Sequence, residues 1–257
     1  MPDFSQLLID ILPFIAIGFT AQMIDGALGM AFGVTTQTLL VSAMGVPPAS
    51  ASASVHLVEL FTTGASGLSH AWRRNVDWGL FRRLVPFGVL GGVTGAYVLS
   101  NVDAGAARPF VMIYLTGIGV YLLWRAVRMA KPQLKDPRYT SPLALVGGFL
   151  DAAGGGGWGP VVTSNLLIQG GDPRKVIGTV NTAEFLLTLS ISITFLLTLG
   201  PAAFTLITGG LILGGVIAAP FGAVLVSKVQ PRTLLFAVSL VLIATSVYSF
   251  WKAWPII

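Results

Sequence analysis

Gln22-Met-Ile-Asp-Gly-Ala-Leu-Gly-Met-Ala-Phe-Gly33 is a glycine-broken stretch that the chain repeats as Phe149-Leu-Asp-Ala-Ala-Gly-Gly-Gly-Gly-Trp-Gly-Pro160. Both copies run from an aspartate through a glycine-containing break to an aromatic residue and a glycine. Six residues of the first copy and its continuation recur 126 positions later: Asp25, Gly29, Gly33, Leu40, Gly45 and Pro47 become Asp151, Gly155, Gly159, Leu166, Gly171 and Pro173. A duplicated gene is the simplest cause. Because charges and free peptide groups are costly in apolar surroundings, the two copies are predicted to form the functional centre.

The composition around these stretches is that of a membrane protein. Hydrophobic residues make up 54% of the 257 residues, charged residues make up 10%, and the mean hydropathy is +0.82. Soluble domains carry about 25% charged residues. Apolar runs recur from end to end, which predicts an all-α polytopic membrane protein and not a soluble domain with one anchor.

Three further features limit the class of protein. The chain has no cysteine, which excludes disulfides and thiolate metal sites. Its N-terminus has Asp3 and Asp10 but no basic region, so the first apolar run is interpreted as a retained span and not a cleaved signal. The net charge of +5 is assigned to membrane orientation and not to nucleic-acid binding.

Apolar segments fall into two groups of five. They are residues 7–24, 30–44, 49–70, 84–99 and 109–127, then 142–153, 158–168, 176–199, 201–226 and 233–251. Segments 30–44, 142–153 and 158–168 are shorter than the ~20 residues that cross a bilayer as a helix. They are predicted to be half-membrane or re-entrant helices that meet at the glycine breaks.

The positive charges predict the orientation. If the polar linker 131–141 is cytoplasmic, 13 of the 15 Lys and Arg residues lie inside, and only Arg108 and Lys252 lie outside. Both termini are then periplasmic. Each half has an odd number of elements, so the N-terminal repeat 1–130 and the C-terminal repeat 142–257 are predicted to be inverted relative to each other. Inverted repeats with broken helices are typical of secondary transporters, which bind substrate near the midplane.

Two pairs of carboxylates are candidates for coupling or gating. Asp25 and Asp151 flank the breaks, where they either bind a proton or cation or cap the broken backbone; the two roles are compatible. Glu59 and Glu184 lie in long apolar segments at a spacing of 125. His56 precedes Glu59 on the same helical face, and Asn181 occupies the matching place before Glu184. A carboxylate beside a histidine predicts a proton site, and the alternative is an interhelical hydrogen bond.

The glycine run is a candidate anion site. Glycines let the backbone approach a ligand, and a helix that starts near Pro160 would direct unpaired N–H groups into the break. The alternative is close helix packing through small residues. The candidate substrate-binding residues of the second break are Gly154, Gly155, Gly156, Gly157, Trp158 and Gly159, and those of the first are Gly29 and Gly33. Residues that follow the breaks could donate further hydrogen bonds: Thr35, Thr36, Gln37, Thr163, Ser164 and Asn165.

Two other motifs are assigned structural roles. Residues 70–78, from His70 to Trp78, are predicted to be an interfacial loop with two tryptophans at headgroup depth, where ligand binding is not favoured. The glycine pairs Gly91-Gly92 and Gly214-Gly215 are predicted to allow tight helix contact.

With these residues in place, the sequence resembles the sulfite exporter TauE/SafE family of membrane permeases. The resemblance covers nearly the whole chain: the motifs Asp25 to Gly33 and Asp151 to Pro160, the turns at Pro47 and Pro173, and the loop from His70 that leads into Gly91-Gly92. It implies transport of a sulfur-containing anion, such as sulfite, sulfoacetate or thiosulfate, across the bacterial inner membrane.

Three functions remain open. The leading hypothesis is a secondary transporter, in the direction of export, with no cofactor and with a proton or sodium as coupling ion; its substrate, a small sulfur-containing anion, is what the resemblance implies. From the residues alone, four midplane carboxylates fit a cation transporter almost equally well. An intramembrane enzyme that uses His56 and Glu59 is the third hypothesis, but one histidine and one carboxylate leave a metal under-coordinated.

Overall fold

The described part of the protein is all-helical. The computed structural model describes residues 4–28, 30–128, 135–201, 206–228 and 231–253, and these ranges contain no strand. The helices are α1 Phe4–Leu28, α2 Phe32–Thr38, α3 Pro48–Trp72, α4 Trp78–Asn101, α5 Ala104–Val127, α6 Thr140–Gly154, α7 Ser164–Ile168, α8 Pro173–Leu199, α9 Leu206–Lys228 and α10 Pro231–Ala253. The π-helical segment Leu39–Ala43 continues α2, and a second π-helical segment, Trp158–Thr163, precedes α7.

The three segments predicted to be short are short. Helix α2 with its π-helical continuation ends at Ala43, and α6 has 15 residues. The second break begins after Gly154, because Gly155 and Gly156 adopt φ values of +74° and +148° that residues with a side chain rarely tolerate. The chain becomes helical again at Trp158, two residues before the expected start near Pro160, and it does so with π geometry.

Several helices begin earlier than the hydropathy predicts. Helix α4 starts at Trp78 and not at residue 84, since Asp77 caps it by accepting from the N–H groups of Gly79 (2.8 Å) and Leu80 (3.1 Å). Asp103 and Asp172 cap α5 and α8 in the same way. Charged residues within the first two turns lower the local hydropathy and hide these starts from a search for apolar runs: Arg82 and Arg83 in α4, Arg108 in α5, and Arg174 and Lys175 in α8.

Length and hydropathy identify a multi-pass membrane protein. In the described ranges, three helices are long and apolar enough to cross a membrane: residues 78–101, 104–127 and 174–199. Large apolar side chains lie on the outer surface, for example Leu197 (81% exposed) and Phe110 (73% exposed). Exposed apolar surface of this kind is stable against lipid and unstable against water.

Eight of the helices pack in pairs, and each pair joins a helix that ends before residue 131 to one that begins after residue 139. Helix α1 packs against α9, α4 against α6, α3 against α8, and α5 against α10. Glycines allow two of these contacts, because a Cβ at Gly91 would meet the carbonyl oxygen of Leu145, and a Cβ at Gly214 would meet that of Ile15. Close contact is thus confirmed for Gly91 and Gly214, whereas Gly215 has only the Gln22 side chain near it, at 4.0 Å.

The loop predicted over residues 70–78 is shorter than expected. His70 lies in the last turn of α3, which runs to Trp72, and residues 73–77 alone connect α3 to α4. The two tryptophans that flank this connection are 86% and 54% exposed, as expected for side chains at headgroup depth.

Candidate functional site

A cavity of about 280 Å³ lies at the centre of the described helices. Its walls come from α1, α2, α3, α8 and the second break, so both parts of the chain contribute to it. Nine of the predicted site residues line the cavity: Asp25, Gly33, Glu59, Asp151, Gly156, Gly157, Gly159, Asn181 and Glu184. The structure therefore brings all four predicted carboxylates to one cavity.

The other predicted site residues are not among the cavity-lining residues. These are His56, Thr35, Thr36, Gln37, Gly154, Gly155, Trp158, Thr163, Ser164 and Asn165. Gly29 lies outside the described residues. The cavity is thus built mainly from the breaks and the long helices α3 and α8, and not from the polar residues that follow the breaks.

Each break is closed by an aspartate that accepts two backbone hydrogen bonds. Asp25 Oδ1 accepts from the N–H groups of Ala31 (2.8 Å) and Phe32 (3.1 Å). Asp151 Oδ1 accepts from those of Gly157 (2.6 Å) and Trp158 (2.8 Å). The donors lie six and seven residues after the carboxylate in both cases. Both aspartates therefore make capping contacts, which is one of the two roles considered for them; their role in coupling stays a prediction.

This capping corrects the expected anion site at the glycine run. The N–H groups of Gly157 and Trp158 were expected to be free for a ligand, but the Asp151 carboxylate already occupies them. The N–H of Gly156 donates to the Asp151 carbonyl oxygen at 2.9 Å, and the carbonyl oxygen of Gly156 accepts from the Tyr114 hydroxyl at 2.8 Å. A carboxylate of the protein itself takes the place that was predicted for the substrate anion.

The two breaks touch each other through glycines. A Cβ at Gly33 would lie 3.0 Å from Gly156 Cα, and a Cβ at Gly159 would lie 2.9 Å from Met30 Cα. Met30 and Gly33 correspond to Gly156 and Gly159 under the spacing of 126, so the two contacts are equivalent. A Cβ at Gly159 would require the first break to shift, and a Cβ at Gly33 would require its neighbours to give by a few tenths of an ångström.

His56 pairs with Asp151 and not with Glu59. Its Nε2 lies 3.1 Å from Asp151 Oδ2, and its Nδ1 lies 2.7 Å from the Ser52 carbonyl oxygen. Both residues are buried, with 0% and 2% of their surfaces exposed. A carbonyl oxygen only accepts, so Nδ1 carries a proton, and one more proton lies between Nε2 and Oδ2. The pair is therefore either imidazolium with carboxylate or imidazole with carboxylic acid.

Glu59 and Glu184 have fewer partners than the aspartates. Glu59 Oε1 lies against the backbone of Gly33 in the first break, and Glu59 Oε2 is buried without a hydrogen-bond partner among the described residues. Glu184 makes no hydrogen bond or ion pair with a described residue. Within the described ranges, no group of three or more His, Cys, Asp or Glu side chains is arranged to hold a metal ion.

Several predicted donors bond elsewhere. Gln37 Nε2 donates to the Pro48 carbonyl oxygen at 3.2 Å, and Asn165 Nδ2 donates to that of Val161 at 2.7 Å. Trp158 is fully buried and donates its Nε1 proton to the Val180 carbonyl oxygen at 3.2 Å. Ser164 accepts from Arg125, a half-buried arginine that also contacts Met30 Sδ at 3.0 Å.

Sequence reasoning missed much of the α3 wall. The cavity is also lined by Thr62, Thr63, Ser66 and His70, which lie 3, 4, 7 and 11 residues after Glu59. This is the spacing of one helix face, so periodicity outward from Glu59 would have found them. Gln22 and Met30, within the first quoted stretch, line the cavity as well.

Comparisons with known proteins identify the family of this chain. The family model described as "Sulfite exporter TauE/SafE" matches residues 14–249. The chain belongs to the sulfite exporter TauE/SafE family. A relative in Bacillus subtilis (strain 168), named "Probable membrane transporter protein YtnM", is 44% identical over 229 residues, which cover 86% of this chain and 76% of the relative. No solved structure matches the chain. This TauE/SafE protein is therefore a membrane transporter and not an enzyme.

Proposed function

We propose that this protein is a secondary transporter that exports a small sulfur-containing anion, such as sulfite, sulfoacetate or thiosulfate, across the bacterial inner membrane. The observation that carries the proposal is the cavity of about 280 Å³ between the two breaks. Its volume lies at the lower end of ligand pockets, which suits a compact anion. A site between two broken elements is the arrangement by which secondary transporters alternate access.

Two inverted repeats, residues 1–130 and 142–257, would provide the alternating halves. Equivalent features of the breaks support this division: each aspartate accepts from the N–H groups six and seven residues later, and the Gly33–Gly156 and Met30–Gly159 contacts correspond. The helix pairs α1–α9 and α6–α4 correspond as well. The excess of Lys and Arg in the loops on one side supports a cytoplasmic linker 131–141 and periplasmic termini.

The charges of the cavity constrain how an anion is carried. Four carboxyl groups line the cavity, and no Lys or Arg does so among the described residues. The Asp151 charge is balanced within its pair with His56, which leaves three carboxyl groups without a counter-charge. Two like charges 4 Å apart repel by about 4 kcal/mol at an effective dielectric constant near 20, so an anion is not accommodated beside these three groups while they are ionised. The anion must therefore enter together with protons or another cation.

Glu59 and Glu184 are the carboxyl groups that we assign to carry the coupling protons. Asp25 and Asp151 are engaged by the N–H groups of the breaks, whereas Glu59 Oε2 has no described partner and Glu184 makes no described hydrogen bond. Once protonated, a glutamic acid donates an O–H to the anion instead of repelling it. Sodium remains the alternative coupling ion, and the same four carboxylates would serve a cation transporter.

The test is charge displacement across a supported membrane that contains the reconstituted protein. Concentration jumps of sulfite, sulfoacetate, thiosulfate, sulfate and sodium are compared, with uptake of labelled sulfite as the check for electroneutral exchange. We expect Glu59→Gln and Glu184→Gln to lower the sulfur-anion response at least tenfold, because an amide cannot take up a proton. Asp136→Asn, at an exposed linker position, is the control and should leave the response unchanged.

The outcomes separate the hypotheses. A response to sodium alone would favour the cation transporter. A normal sulfur-anion response in the Glu59→Gln and Glu184→Gln double variant would show that these residues do not carry the protons. Silence of the wild type to every anion in both assays would refute the proposed function.

A further inference from the structure

His70 lines the cavity, but it has no role in the proposed mechanism, in which carboxyl groups carry the coupling protons. It lies in the last turn of α3, half-buried, at the end of the cavity next to the connection formed by residues 73–77. The other titratable residues that line the cavity are the four carboxyl groups, which accept hydrogen bonds when they are ionised. An imidazole in this position can donate a hydrogen bond to a ligand if the ring nitrogen without a protein partner is the protonated one.

The neighbours of His70 fix which ring nitrogen carries the proton. Asn75 Nδ2 lies 3.2 Å from His70 Nδ1, and Arg174 Nε donates to Asn75 Oδ1 at 2.6 Å. A guanidinium only donates, so the amide oxygen of Asn75 must face Arg174 and its NH₂ group must face the ring. The NH₂ group in turn donates to Nδ1, which is then unprotonated. The neutral ring carries its proton on Nε2.

Helix α8 holds Asn75, which links Arg174 to His70 by hydrogen bonds, in a fixed position. Asn75 is 8% exposed, and its backbone lies so close to Gly178 that a Cβ there would be 2.6 Å from the Asn75 carbonyl oxygen. The same connection is fastened to α8 by Lys175 Nζ, which donates to the Arg74 carbonyl oxygen at 2.9 Å, and by the Asp77 N–H, which donates to Thr179 Oγ1 at 2.8 Å. His70 is therefore oriented by contacts that do not depend on a ligand.

His70 Nε2 has no hydrogen-bond partner among the described residues. We propose that its N–H donates to an oxygen of the transported anion and selects for oxyanions, with Asn75 and Arg174 as positioning residues. This inference rests on the proposed function. The Nε2–H is a neutral donor and therefore needs no counter-charge in a cavity lined by carboxyl groups. The N–H groups of Ala31, Phe32, Gly157 and Trp158 already donate to the two aspartates.

The first test reads the tautomer directly. The chain has two histidines, so ¹⁵N spectra of histidine-labelled protein in lipid contain two rings, which the His70→Gln variant assigns. We expect Nδ1 of His70 to be unprotonated and Nε2 to be protonated, with the Nε2 signal shifting when sodium sulfite is added. A protonated Nδ1 with an unprotonated Nε2 in the wild type would overturn the inference, as would an Nε2 signal that ignores sulfite at saturating concentration.

The second test measures the apparent affinity for sulfite in the charge-displacement assay. Loss of one hydrogen bond to a charged ligand corresponds to about a tenfold to hundredfold loss of affinity, which we expect for His70→Leu. His70→Gln should recover part of it, since its amide also donates, and Asn75→Leu should lose less than His70→Leu. Arg82→Gln, at an exposed position of α4 that does not line the cavity, is the control and should stay within about twofold.

The two proposals fail in different ways. A wild type that responds to sulfite, together with an unchanged affinity in His70→Leu, would overturn the role of His70 and leave the transporter intact. A wild type that moves no sulfur anion would refute the proposed function and, with it, the ligand assigned to His70.

Discussion

Asp151→Ala is the substitution that tests how the second break is held together. The carboxylate makes three close contacts: the N–H of Gly157 at 2.6 Å, the N–H of Trp158 at 2.8 Å and His56 Nε2 at 3.1 Å. Alanine would leave two buried N–H donors and the buried Nε2 of His56 without partners. Asp25→Ala is the matched variant, since Asp25 accepts two equivalent N–H groups but has no histidine.

The structure sets the size of the expected effect. Hydrogen bonds to a charged group contribute about 1.5–3 kcal/mol each, and breaking a buried charged pair costs about 3–5 kcal/mol. The terms share one carboxylate and do not add fully. We therefore expect Asp151→Ala to lower the free energy of unfolding by about 4–6 kcal/mol and Asp25→Ala by about 2–3 kcal/mol. At about 2–4 °C per kcal/mol, Asp151→Ala lowers the melting temperature by roughly 8–24 °C.

Equilibrium unfolding in mixed micelles, followed by tryptophan fluorescence, measures these values. A double-mutant cycle isolates the histidine contact. The cycle of Asp151→Asn with His56→Gln should give a coupling energy of about 1–3 kcal/mol, and the cycle of Asp25→Asn with His56→Gln should give less than about 0.5 kcal/mol. Equal costs for the two alanine variants, or no coupling between positions 56 and 151, would refute the reasoning.

Two further predictions concern packing around the breaks. Gly91→Ala should destabilise the protein by about 1–3 kcal/mol, because its Cβ would meet the Leu145 carbonyl oxygen and separate α4 from α6. Gly117→Ala is the control and should be neutral or stabilising, since no atom lies within 4 Å of its Cβ. The same unfolding assay compares the two variants, and equal effects would contradict the packing argument. Tyr114→Phe removes the hydroxyl that donates to the Gly156 carbonyl oxygen and should cost about 0.5–1.5 kcal/mol, with a cost near zero showing that the hydroxyl does not hold the break.

The features that the sequence predicted are those fixed locally. The helices end at the glycine breaks because the cause lies within a few residues, as at Gly155 and Gly156. Capping by Asp25 and Asp151 could be considered from the sequence for a similar reason, since donor and acceptor are six and seven residues apart. A local pattern is sufficient when both partners belong to the same short stretch.

Contacts between distant parts of the chain were not predicted. His56 and Glu59 share a helical face, but the ring bonds to Asp151, which is 95 residues away and reaches α3 only through the packing of α6. The polar residues of α2 were expected to face a ligand. In the structure α2 lines the cavity through other residues, and Thr35, Thr36 and Gln37 do not line it. Gln37 bonds instead to the start of α3. Periodicity identifies a face and does not identify what that face packs against.

The His56–Asp151 pair has a consequence for electrical recordings. Its two forms, imidazolium with carboxylate and imidazole with carboxylic acid, have the same net charge of zero, and they differ by the transfer of one proton between atoms 3.1 Å apart. Such a shift crosses about a tenth of the ~30 Å hydrocarbon thickness at most. The pair is therefore nearly silent electrically, and a sizeable transient current in the charge-displacement assay has to arise from the substrate, from a coupling ion or from the glutamates.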